Sequence, residues 1–200
     1  SEFIQIAMNE PENGYYLSQK PIGESGDFIT APEISQIFGE IIGVWAFDCF
    51  KKLNLNCDFQ IIDLGGGKGT LLKDISRINK NKNTRYGFLE INEHLIKEQK
   101  NKIPQSRHYK KISEIPNLPT LFIGNEFLDV FPIKQFKKEG GNWKEVFVKL
   151  ENNQFRFCLR DIENKKIYRD ALKIAPPEAD FFEINLMLDY SISEIGEFLR

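Results

Sequence analysis

The chain has 200 residues, enough for a domain with a real core. Its net charge of -2, with 41% hydrophobic and 28% charged residues, is that of an ordinary globular protein and gives no sign of a nucleic-acid or anionic-membrane partner. Cys49, Cys57 and Cys158 are odd in number and widely spaced, and His94 and His108 lack ligand-type neighbours. Disulfide, zinc and Ser-His-Asp frameworks therefore have little support in the sequence.

Free thiols suit a reduced compartment. No apolar run is long enough to span a bilayer, and no signal peptide opens the chain. The opening at Ser1-Glu2-Phe3-Ile4 already reads as helix, as if cut from a longer protein.

Residues 2 to 9 are expected to form a short helix that ends at Asn9-Glu10-Pro11. Residues 12 to 29 mix turn-formers with Tyr15, Tyr16 and Phe28, which reads as an ordered loop. Thr30-Ala31-Pro32-Glu33 has the pattern of a capping box with proline in the first turn. Ile34, Ile37, Phe38, Ile41, Ile42, Trp45 and Cys49 follow at helical spacing, with Gly39 and Gly43 one turn apart. Glycine costs about 1 kcal/mol in a helix, so close approach of another helix or of a ligand is expected there.

Phe59 to Leu64 is a buried strand that runs into glycines, and Leu71, Leu72, Ile75 and Ile78 mark the next helix. Arg85 to Ile91 is a strand, Glu93 to Lys102 a helix, and Thr120 to Gly124 another strand. This alternation predicts a parallel, helix-covered sheet. Beyond Pro132, Ile133 to Lys138, Trp143 to Glu151 and Phe155 to Asp161 alternate apolar and polar residues, predicting an antiparallel meander. One more strand is expected at 181–185 and a helix at 186–200.

The glycine turn discriminates between ligands. A P-loop would need Ser or Thr after Gly67-Lys68, and the chain has Gly69. A dinucleotide turn would need a third glycine at Thr70 or Leu72; only its alanine variant leaves some latitude. The spacing Asp63, Gly65, Gly67, Gly69 also puts a carboxylate at the strand end, which a pyrophosphate ligand would not want. Glu90 ends the next strand, where it can accept ribose hydroxyls. Asn125, Glu126 and Asp129 follow the third strand and should face the same crevice. Two carboxylates there suit a cationic acceptor such as a guanidinium. Capping or solvation of these acids is the competing reading.

The Asp-x-Gly-x-Gly-x-Gly turn resembles motif I of class I S-adenosylmethionine-dependent methyltransferases. With Gly14-Tyr15-Tyr16, the run from Gly26 through Pro32-Glu33 to Glu40, and Gly124-Asn125-Glu126-Phe127-Leu128-Asp129, the chain is similar to the MidA-like methyltransferases, which include a mitochondrial arginine methyltransferase that assembles respiratory complex I. The resemblance spans most of the first 135 residues and loosens after Pro132.

It implies an α/β fold: a Rossmann-like class I methyltransferase sheet, incomplete at the C-terminal side, with an N-terminal helical segment and an antiparallel β insertion. The expected divisions are 1–57, 58–132 and 133–200. It implies S-adenosyl-L-methionine as cofactor and arginine methylation of a protein, a complex I subunit in the mitochondrial branch. The location would be cytoplasmic, or the mitochondrial matrix in a eukaryote. Asp63, Gly65, Gly66, Gly67, Gly69 and Glu90 would bind the cofactor. Asp27 and Thr30 would lie over it, and Glu126, Asn125 and Asp129 would serve catalysis, with no metal.

Family members are longer, so the chain is expected to be truncated or half of a split protein, leaving the Thr120 to Gly124 strand as an edge for another chain. A monomeric, cooperatively folded and fully active chain would refute that. A non-catalytic binding or assembly protein and a nucleotide-dependent oxidoreductase are the alternatives.

Overall fold

The structure is a computed structural model that describes residues 2–10, 12–18, 29–54, 57–79, 83–173, 175, 178–185 and 187–200. In chain order its elements are α1 (Glu2–Asn9), α2 (Tyr15–Ser18), α3 (Ala31–Ile34), α4 (Gln36–Lys52), β1 (Phe59–Leu64), α5 (Thr70–Arg77), β2 (Thr84–Leu89), α6 (Glu93–Lys102), β3 (Arg107–Tyr109), β4 (Thr120–Ile123), β5 (Ile133–Glu139), β6 (Asn142–Glu151), β7 (Gln154–Arg160), α7 (Lys165–Leu172), β8 (Phe181–Asn185) and α8 (Leu188–Phe198). Single 3₁₀ turns lie at Ile112–Glu114 and Leu128–Val130.

The first sheet is parallel, in the order β3-β2-β1-β4. All six residues of β1 are buried, as expected of a central strand covered on both faces. Ile61 points into a cluster with Ala46 and Phe50 of α4, Leu72 and Ile75 of α5, and Phe88 of β2. Ile62 points to the other face, toward Leu64, Tyr109 and Ile115, with Ile195 and Phe198 of α8 packed on them. Buried Gln60 is satisfied by donating to the Pro116 carbonyl at 2.7 Å and to Thr120 Oγ1 at 2.8 Å, which fastens β1 to the chain leading into β4.

The meander β5-β6-β7 forms a second, antiparallel sheet, and β8 pairs with β5 to give the order β7-β6-β5-β8. Phe136, Phe182 and Ala171 of α7 form its own small core. The sequence reading had not anticipated α7 or β3.

Two expectations about residues 30–50 change. The capping box does not form: Thr30 makes no side-chain cap, and Glu33 instead accepts a hydrogen bond from Thr70 Oγ1. Ser35 breaks the helix and caps α4, accepting from Ile37 N–H. The apolar residues of α4 also divide: Phe38, Ile42, Phe47 and Phe50 pack on the core, and others of the helical pattern turn away from it. Ile37, Ile41, Val44 and Trp45 are 55–63% exposed, whereas Gly39, Gly43, Ala46 and Phe50 are buried. The glycines let α5 approach: a Cβ on Gly39 would lie 2.7 Å from Asp74 Cβ, and one on Gly43 3.2 Å from Ile75 Cα.

Candidate active site

β1, β2 and β4 end side by side, and a pocket of about 790 Å³ opens across their carboxyl-terminal tips. That is where ligands sit in open parallel sheets. Asp63 and Gly65 to Gly67 form the middle of its floor. Glu90 lies on the β2 side and Asn125, Glu126 and Asp129 on the β4 side, with Thr30 also lining it. Gly69 is outside the lining and packs on Gln99 and Phe88. Asp27 lies outside the described residues.

The glycine turn is built for close approach. Gly65 and Gly67 have φ of +61° and +51°, the left-handed region. A Cβ on Gly65 would strike the Phe127 ring at 2.9 Å, and one on Gly66 would strike Asp63 Oδ2 at 2.6 Å.

Beneath this turn Asp63 is 1% exposed, and its Oδ2 has no hydrogen-bond partner among the described residues. Burial, and then the nearby Glu90 carboxyl, push its pKa up to about 8. An orphaned carboxylate under a glycine cradle fits a ligand that carries a cation.

Glu90 is held differently. Its Oε1 accepts from the N–H groups of Ile91 and Asn92, both at 2.9 Å, and its Oε2 from Gln99 Nε2 at 3.4 Å. Burial raises its pKa, and the Asn92, Ile91 and Gln99 hydrogen bonds oppose that rise. Gln99 also donates to the Gly67 carbonyl at 2.7 Å, so one fully buried amide ties Glu90 to the glycine turn.

On the β4 side, Glu126 is a non-glycine residue at φ +58°. That conformation costs an L residue about 1 kcal/mol or more. Neither Glu126 nor Asp129 forms an ion pair with the described residues.

The lining as a whole is acidic. Glu33, Asp63, Glu90, Glu98, Glu126 and Asp129 face it against Lys68 and Lys110, and Lys110 is paired with Glu93 at 2.7 Å. A field of that sign favours cations over a pyrophosphate. Among the described residues no group of His, Cys, Asp and Glu could hold a metal.

The sequence reading had missed Gln99, Asn92, Tyr16, Phe127 and Glu33 as parts of this site. Asn92 had a signal: it stands immediately before the predicted helix, and it caps α6 by accepting from His94 N–H at 2.9 Å and from Leu95 N–H. Gln99 had none, because a polar residue in a charged helix gives no hint of full burial.

A family model described as "Putative S-adenosyl-L-methionine-dependent methyltransferase" matches residues 41–200. The chain belongs to this methyltransferase family. The match includes the second sheet, where the sequence resemblance was looser.

Among curated relatives of this methyltransferase-family chain, the human mitochondrial protein arginine methyltransferase NDUFAF7 is 31% identical over 193 aligned positions, covering 80% of this chain and 44% of that protein. The Caenorhabditis elegans homolog is 36% identical over 180 positions, covering 75% and 42%. The chain thus spans less than half the length of these relatives.

A Burkholderia thailandensis superfamily member, crystallised with S-adenosyl-homocysteine, superposes with a TM-score of 0.76 at 17% identity, over 97% of this chain and 53% of that one. A second structure from that organism gives 0.73 at 21% identity, over 97% and 52%. These likenesses establish the Rossmann-like fold.

Proposed function

We propose that the pocket binds S-adenosyl-L-methionine and that the chain carries the methyl-transfer site of a protein arginine methyltransferase. The observation that carries this reading is the acidic pocket across three strand tips, where the buried Asp63 Oδ2 under the glycine turn has no partner among the described residues. In this reading Asp63 and the turn at Gly65, Gly66 and Gly67 hold the methionine end, with Gly69 setting the start of α5. Glu90 holds the ribose. When bound, the cofactor supplies an electrophilic methyl group on a sulfonium.

The protein's part is positioning and charge. Neighbouring strands lie about 4.8 Å apart, so the β2 and β4 tips flank the β1 turn at about 10 Å from each other. The methyl group would then lie toward β4, where Glu126 and Asp129 bind the guanidinium by charge-assisted hydrogen bonds and accept the proton its nitrogen sheds. Asn125 helps to orient the acceptor. Thr30 and, by resemblance, Asp27 would cover the cofactor.

The named relatives support a protein acceptor and a mitochondrial setting. The resemblance makes a complex I subunit the first acceptor to test and the matrix, or a bacterial cytoplasm, the location.

The test is incubation of the protein and labelled cofactor with such a subunit, read by mass spectrometry of its arginine peptides. Transfer is expected with wild type and a loss of at least a hundredfold with Glu126→Gln, cofactor affinity being retained. Equal transfer by both proteins would contradict the assignment of Glu126.

One observation favours a second reading, that of a binding or assembly protein without turnover. Among the described residues β4 pairs with β1 alone, which leaves an edge open to another chain. Cofactor binding with no transfer to any acceptor would support it.

A further inference from the structure

The N-terminal segment is stitched to the pocket at two points. Asn9 of α1 donates from Nδ2 to the Val130 carbonyl at 3.2 Å, one residue past Asp129. Asn92 donates from Nδ2 to the Tyr16 carbonyl at 2.9 Å. Tyr16 lines the same pocket as Glu126 and Asp129, and its ring is braced edge-on by Tyr15 at 5.3 Å. Burial, and then the charges of Asp129 and Glu126, raise the Tyr16 pKa, so the hydroxyl stays protonated and lies within their field.

We infer that Tyr16 is an acceptor-positioning residue, held by Asn92, whose hydroxyl joins the Glu126 and Asp129 carboxylates in binding a cationic N–H donor such as a guanidinium. The inference rests on the methyl-transfer reading above and deepens its acceptor end.

The chemistry follows from the groups present. Two carboxylates supply charge but only acceptor atoms. A phenol oxygen can accept a third N–H and fix the plane of the guanidinium without adding a third negative charge. Fixing that plane aims one nitrogen lone pair.

Asn92 serves both ends of the site. Its own N–H donates to Glu90, its Oδ1 caps α6, and its Nδ2 holds Tyr16. The position of the ribose-side acid and the position of the acceptor tyrosine are therefore set by one residue.

The experiment uses the full chain, S-adenosyl-homocysteine, and a synthetic Gly-Arg-Gly repeat peptide titrated in its presence by calorimetry. Tyr16→Phe keeps the ring and removes only the hydroxyl. It should bind S-adenosyl-homocysteine like wild type, melt at the same temperature, and bind the peptide roughly tenfold more weakly. Asn92→Asp keeps the cap oxygen and loses the Nδ2 donor. It should reproduce the peptide defect, whereas a purely structural role for Tyr16 would leave peptide affinity unchanged in both variants.

Equal peptide affinity in wild type and Tyr16→Phe overturns the inference and leaves the cofactor reading standing. Binding of S-adenosyl-homocysteine without binding of the peptide by wild type overturns the acceptor class and the inference together. Failure of wild type to bind S-adenosyl-homocysteine overturns the methyl-transfer reading itself.

Discussion

Replacing Asp63 by Asn should make the protein more stable and its pocket useless. Asp63 is fully buried with an oxygen that has no partner among the described residues, and burial holds its pKa at about 8 against an ordinary 3.8. The folded state therefore holds a proton that the unfolded chain releases. A raised carboxyl pKa favours the fold below about 4 and loses that advantage as pH rises toward 8. At pH 7 the gap is about three units, so keeping this carboxyl buried costs on the order of 4 kcal/mol.

Asparagine has no such linkage, but its amide is left short of partners at about 1–3 kcal/mol. The net gain for Asp63→Asn is then about 1–3 kcal/mol at pH 7 to 8, a rise in melting temperature of roughly 5 °C in a chain this size. Scanning calorimetry from pH 4 to 8.5 should show the two proteins nearly alike, or the variant slightly worse, at the acid end and the variant ahead at the alkaline end. S-adenosyl-homocysteine should raise the melting temperature of wild type and not of the variant. A variant less stable than wild type at pH 8 would mean that Asp63 is ionised and partnered in the free protein, and would refute the reasoning.

Other substitutions isolate other parts of the site. Glu90→Ala removes the acceptor on the ribose side and should weaken S-adenosyl-homocysteine binding by roughly tenfold to a hundredfold in calorimetry. Equal affinity would remove the ribose assignment. Glu126→Gly relieves the left-handed strain at φ +58° and should stabilise the fold by about 1 kcal/mol in denaturant titration while abolishing transfer. A destabilised Glu126→Gly variant would show that the carboxylate anchors the turn. Gly39→Ala should destabilise by about 1–3 kcal/mol despite alanine's helix preference of about 1 kcal/mol. The new Cβ would sit 2.7 Å from Asp74 Cβ, and an unchanged melting temperature would show that α4 and α5 can part.

The sequence was most legible where one residue type had one physical use. Phe59–Leu64 and Glu93–Lys102 matched their predicted bounds because a continuous apolar run and a capped charged helix each have one reading. The strand tips follow from topology, so the alternation of strands and helices alone brings Asp63, Glu90 and Glu126 to one crevice, the pocket they line.

Helical spacing placed α4 but not its buried side. Gly39 and Gly43, rather than Ile37 and Ile41, meet α5, and helical spacing of large apolar residues cannot register a contact made by glycines. Thr30 to Glu33 followed a capping pattern, yet Glu33 turned to Thr70, a residue 37 positions away. The Thr70 hydroxyl in turn receives Lys102 Nζ at 2.6 Å, so the tie joins α3, α5 and α6. Long-range partners of this kind also hid Gln99 and Tyr16, whose roles depend on what the fold brings beside them. Helix α7 was missed because its charged run, Lys165-Lys166 with Arg169-Asp170, reads as solvated surface although Ala171 is buried.

In the proposed reading the acidic pocket receives a cationic nucleoside cofactor with Asp63 as its counter-charge. Calorimetric titration of the full chain with S-adenosyl-homocysteine, whose ammonium group is the cation proposed to pair with Asp63, is the decisive measurement. Repeating the titration in buffers of different ionisation enthalpy from pH 6 to 8.5 reads the proton count. Binding should strengthen up to about pH 8 and release up to one proton near neutrality, because the ligand's ammonium would lower the pKa of Asp63. No binding at millimolar ligand, or binding with no proton release in wild type and equal affinity in Asp63→Asn, would contradict it.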